Sequence, residues 1–104
     1  MYIAMNRFII NEGHEDDFEN IWRNRDSTLK EMPGFQTFHL LKGARNEETK
    51  QTLYASHTVW EDHEHFVSWI NSEQFKNAHK KAGSNKGMYG GHPNFEGFDA
   101  VLSE

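Results

Sequence analysis

The first ten residues constrain this chain more than any other stretch. Hydrophobic side chains fill both registers of a strand from Tyr2 to Ile10: Tyr2, Ala4, Phe8 and Ile10 on the even face, and Met1, Ile3, Met5 and Ile9 on the odd face. A strand apolar on both sides must be covered on both sides. A chain of 104 residues makes one domain. Its own helices can cover one face of a sheet, and the simplest cover for the other is a second copy of the chain, so a homodimer is expected. Asn6 is the polar residue in the even row, and its amide needs a reason to be there.

Beyond the Asn11–Gly13 break, Phe18, Ile21, Trp22, Leu29 and Met32 recur at helical spacing, with Glu15, Asp16 and Asp17 in the first turn. This predicts an amphipathic helix ending before Pro33-Gly34. Phe35 to Lys42 and Gln51 to Trp60 read as two strands of a hairpin joined through the polar stretch Gly43–Lys50. Asp62 can cap a second helix carrying Phe66, Trp69 and Ile70, and Ser72 offers a fresh N-cap for a segment carrying Phe75, Ala78, His79 and Ala82, with a break near Asn71. Gly83 to Pro93 has no periodicity and reads as an irregular loop that could gate a pocket; Phe95 to Leu102 reads as a last strand. The order β-α-β-β-α-β is that of the ferredoxin-like α+β unit. Phe18-x-x-Ile21-Trp22 in the first helix is echoed by Phe66-x-x-Trp69-Ile70 in the second.

Composition narrows the chemistry. Hydrophobic residues are only 36% of the chain, and the 13% that are aromatic must supply much of the core. With no cysteine, a disulfide scaffold, a thiolate zinc site, an iron–sulfur cluster and a cysteine nucleophile are excluded. Eleven basic residues against sixteen acidic ones, for a net charge of −5, give no electrostatic footprint for nucleic acid or an anionic membrane. The N-terminus lacks the pattern of a signal peptide and no apolar run is long enough to span a bilayer, so a cytoplasmic protein with a small-molecule or protein partner is expected. No nucleophile elbow, dinucleotide fingerprint, phosphate loop or paired-carboxylate site is present.

Three residues stand out. Asn6 is either satisfied by neighbouring backbone or aims a donor into a ligand cavity. His79, on the stripe with Phe75, Ala78 and Ala82, is either a structural histidine or the ligand of a metal or haem iron. Trp69 is core filler by itself. On one unbroken helix it would stand roughly 15 Å and about 80° of rotation from His79, whereas a break near Asn71-Ser72 lets both face one cavity. His57, His63 and His65 lack metal-ligand spacing and suit solvated or capping roles; His92, in the loop, is the reserve ligand.

Taken together, Met5-Asn6-Arg7-Phe8, Pro33-Gly34-Phe35, Thr58-Val59-Trp60 leading into Phe66-x-x-Trp69, and Phe75-x-x-Ala78-His79 resemble the IsdG-like haem-degrading monooxygenases of the antibiotic biosynthesis monooxygenase superfamily. Pro-Gly-Phe and Val-Trp occur throughout that superfamily and specify its dimeric α+β barrel. The asparagine near the start, the helical tryptophan and the histidine ten residues later mark the haem-degrading branch. The resemblance implies that Asn6 hydrogen-bonds toward the distal ligand, that Trp69 presses on the porphyrin face and distorts it, and that His79 is the axial iron ligand. It implies haem as both substrate and cofactor, with O₂ and an external electron donor, supplied by a reductase, opening the ring and releasing iron. Two other activities fit the same fold: cofactor-independent oxygenation of a quinol or polyketide, and haem binding without turnover.

Overall fold

A computed structural model of the chain describes residues 1–25, 27–78 and 87–104. The N-terminal strand β1 (Tyr2–Ile10) lies inside the sheet, antiparallel to β3 (Gln51–Trp60) on one side and β4 (Asn94–Asp99) on the other. The hairpin partner β2 (Phe35–Asn46) takes the outer edge, for a strand order β2-β3-β1-β4. With α1 (Glu15–Asn24), α2 (His63–Ile70) and α3 (Glu73–Ala78) in the connections, the architecture is the expected α+β ferredoxin-like fold.

Local chemistry explains where elements differ from expectation. Helix α1 stops at Asn24, where Arg25 turns to extended backbone (ψ 145°). Leu29 and Met32 therefore do not continue it. Ser27 Oγ accepts the Leu29 N–H (3.2 Å), Leu29–Glu31 forms a short 3₁₀ turn, and Met32 is extended (ψ 136°), as a residue before proline prefers. Strand β2 runs past Lys42 to Asn46, whose Oδ1 accepts the backbone N–H groups of Glu48 and Thr49 and closes the turn. Strand β4 ends at Asp99, so Val101 and Leu102 are exposed and outside the sheet.

The break between α2 and α3 falls at Asn71-Ser72 as expected. Ser72 Oγ donates to the Trp69 carbonyl (2.6 Å) and accepts the Phe75 N–H (3.1 Å), ending one helix and capping the next. Of the Gly83–Pro93 loop, residues 83–86 lie outside the described ones. Its later part is anchored rather than free: Asn11 N–H donates to Met88 O and Gly90 N–H to Ile9 O (both 2.8 Å), and Met88 is buried. That stretch extends the fold and is no lid.

The helices pack on the even face of β1 and β3 in two clusters. Tyr2, Ala4, Leu29, Trp60 and Trp69 form one; Phe8, Ile10, Phe18, Tyr54 and Met88 form the other. On the odd face Ile9, Leu41 and Phe98 are 37%, 42% and 47% exposed, so among the described residues much of the second apolar face of β1 is left open. Among the described residues no helix is long and apolar enough to cross a membrane.

Candidate functional site

The seam between the two clusters carries two polar side chains, Asn6 and Ser56, between Leu40 and Phe95. Strand register aligns Leu40, Ser56, Asn6 and Phe95 in one row across β2, β3, β1 and β4. Ala4 and Phe8, the neighbours of Asn6 on its own face, belong to opposite clusters. Asn6 is half-buried, and its amide makes no hydrogen bond among the described residues. Its neighbour Ser56 is only 8% exposed and its hydroxyl is likewise unpartnered among the described residues.

Trp69 is 8% exposed and belongs to the first cluster, with Tyr2, Ala4, Leu29 and Trp60. Asp62 fixes the start of its helix: the Asp62 carboxylate accepts the His65 backbone N–H (2.9 Å) and meets the His65 ring Nδ1 (2.7 Å). These bonds, the backbone one first, hold the Asp62 carboxyl below its usual pKa range. The indole of Trp69 packs edge-on against Phe75 (5.5 Å between centroids) and tilted against Trp60 (6.3 Å). Trp60 is fully buried and its Nε1 is left without a partner among the described residues. His79 lies outside the described residues.

His65 caps α2, His63 is exposed with its ring against Tyr2 (4.9 Å), and His57 faces His39 across the open sheet face (6.3 Å). His92 is exposed. Among the described residues no three His, Asp or Glu side chains are grouped to hold a metal.

A cavity of about 280 Å³ opens between α1 and β2 and shares Leu40 with the polar row. Its walls are Trp22 and Phe38, stacked 5.7 Å apart, and its rim is charged. The Arg25 guanidinium lies over Phe38 (4.4 Å) and Trp22 (5.1 Å) while Arg25 Nη1 donates to the Trp22 carbonyl (2.6 Å). Tyr54 donates its hydroxyl to Glu19 (2.6 Å), which also pairs with Arg23 (3.0 Å) and Lys42 (3.6 Å). Burial, and then this bond to Glu19, push the Tyr54 phenol well up, and the same bond helps hold the Glu19 carboxyl down. Sequence reasoning missed Ser56, Arg25 and the Tyr54–Glu19 pair. For Arg25 a signal existed: it follows Trp22 by three residues, one helical turn.

Comparison with known proteins places the fold. Residues 1–81 match the antibiotic biosynthesis monooxygenase family. The chain belongs to that family. It is 23% identical over 86 residues to a staphylobilin-producing haem oxygenase of Staphylococcus epidermidis, covering 83% of this chain and 80% of that one. Its fold superposes with TM-score 0.71 on the haem-degrader MhuD of Mycobacterium tuberculosis, solved with two haems in its active site (24% identity; 100% of this chain, 99% of that). It superposes equally well, at 0.69, on a mutant of SnoaB, a cofactor-independent oxygenase of Streptomyces nogalater (20% identity; 98% and 94%). The fold is thus shared by haem-degrading and cofactor-independent oxygenases.

Proposed function

We propose that this family member is a haem-degrading monooxygenase, working as a homodimer. The observation that carries the reading is the Asn6 amide, unpartnered among the described residues, on the floor between two apolar clusters, one of which contains Trp69. Likeness to the staphylococcal haem oxygenase supports it. Haem is a flat apolar disc with two carboxylates at one edge. The α1–β2 cavity has groups that suit the edge of such a ligand, with aromatic walls in Trp22 and Phe38 and cations in Arg25, Arg23 and Lys42 at its rim.

In this reading His79, directly after the last residue of α3 in the sequence, would hold the iron through a neutral imidazole. When bound and reduced by an external donor such as a reductase, haem would supply the oxygen chemistry. The chain's part would be ligation, shape and polarity. Trp69 would contribute the bulk of its indole, Asn6 would offer a donor where charge develops, and the apolar clusters would exclude water. Arg25, already held by two aromatic rings and a carbonyl, presents its outer N–H groups to a carboxylate without further ordering. The uncovered apolar sheet face supports the homodimer.

A second reading has an observation of its own. Asn6 and Ser56 would bind the oxygen of a quinol or polyketide as readily, and SnoaB shares the fold. Cofactor-independent oxygenation of that kind needs no axial histidine. Haem titration of the purified protein separates the two, and its His79→Ala and His92→Ala variants locate the ligand. Loss of the wild-type Soret band in His79→Ala supports the first reading; loss only in His92→Ala overturns the ligand assignment. Haem binding without consumption under reductant identifies a haem carrier.

A further inference from the structure

We propose that Ser56 is a second polar contact for the ligand that Asn6 addresses, an inference that rests on the haem reading above. Asn6 and Ser56 are directly opposed in the antiparallel β1–β3 register, so their Cβ atoms stand roughly 4.5–5.5 Å apart on one face. The face is fixed by neighbours two residues away: Tyr54 packs on Phe18 of α1 (4.8 Å), and Thr58 lies opposite buried Ala4. Ser56 therefore points to the helix side of the sheet, into the seam between the two clusters.

The hydroxyls on either side of Ser56 are used by the fold. Thr58 Oγ1 donates to the Ala4 carbonyl (3.2 Å) and Tyr54 to Glu19 (2.6 Å). Ser56 is as deeply placed, at 8% exposure, yet its Oγ has no partner among the described residues. Among the described residues Trp60 Nε1 is the side-chain polar atom sealed from solvent without a partner, so the Ser56 oxygen, which has no partner either, is reached from outside and not closed into the core. It is free to act on what enters the seam, and alanine there would remove no bond of the fold. Next to the Asn6 amide it makes a two-point floor with donors and acceptors on both members. A diatomic ligand held above that floor would be addressed from β1 by the amide and from β3 by the hydroxyl. Their balance would steer it along the row and select which edge of the macrocycle is attacked.

The test uses full-length protein loaded with haem, comparing wild type with Ser56→Ala, Ser56→Thr and Asn6→Ala. Carbon monoxide on the reduced complex is the probe, and its C–O stretching frequency reads nearby donors. Ser56→Ala is expected to raise that frequency and Ser56→Thr to restore it. The ratio of ring-opened isomers should change roughly two- to tenfold in Ser56→Ala, the range of one neutral hydrogen bond. Haem-free Ser56→Ala should melt at or above the wild-type temperature. A frequency and isomer ratio unchanged in Ser56→Ala, while Asn6→Ala shifts them, would overturn the assignment. So would a haem-free Ser56→Ala protein melting several degrees lower, because the hydroxyl would then be structural. Failure of wild-type protein to take up haem overturns the functional reading itself and is seen before any variant is compared.

Discussion

At the scale of single residues, the proposed function gives holding haem and acting on it to different side chains. Asn6 and Trp69 are not assigned to the iron, so Asn6→Ala and Trp69→Ala or Phe should still bind haem through His79 yet degrade it slowly. A donor aimed at developing charge is worth ~2.7–4 kcal/mol in other enzymes, so single-turnover decay should slow on the order of a hundredfold in Asn6→Ala. Trp69→Phe should keep more activity than Trp69→Ala, since the indole acts through its bulk. Wild-type decay rates in both alanine variants would contradict the roles given to them. Asn6 could be read from sequence because it interrupts an apolar row within one strand. Ser56 could not, because its strand alternates through Thr52, Tyr54, Ser56 and Thr58 and only the pairing with β1 sets it beside Asn6. Register between strands distant in sequence is a tertiary property.

At the scale of elements, the junction between α2 and α3 is what sets Trp69 relative to the segment leading to His79. Ser72 holds it with one oxygen, donating to the end of α2 and accepting from the first turn of α3. Ser72→Ala removes both bonds and should cost about 1 kcal/mol, lowering the melting temperature by roughly 4–8 °C in a domain near this size, as calorimetry would show. Haem affinity should fall with it if the junction positions the ligand. The cap on α2 makes a pH prediction. Asp62 has a lowered pKa in the folded chain, so its stabilising effect is complete above the ordinary carboxylate range and disappears as pH falls through the lowered value. Asp62→Asn should therefore flatten the acid limb of stability against pH; an unchanged limb would show that the cap contributes nothing there. The same junction was legible in sequence, since Asp62 and Ser72 are cap residues at the right offsets. The end of α1 was not. Leu29 and Met32 keep helical spacing with Trp22, but Ser27 and Pro33 favour other local bonding, and periodicity does not report that competition.

At the scale of the whole molecule, a sheet with helices on one side and an open apolar side on the other is half of a barrel. In the proposed homodimer the other half would be a second copy. Light scattering at micromolar concentration should give twice the chain mass, 12.2 kDa for the single chain, and a stable monomer would contradict the assembly. An aspartate or lysine at Ile3 or Val59, in register on that face, should shift the mass toward monomer while leaving the helix-side clusters intact. The proposed function requires that this scaffold consume the group it binds, which is read by loading the wild-type protein with one equivalent of haem, adding a reductant in air with catalase present, and following the Soret band together with free ferrous iron. The band should decay while iron is released in proportion, and decay should stop when oxygen is removed. A Soret band that persists unchanged under reductant and oxygen would contradict the proposed function.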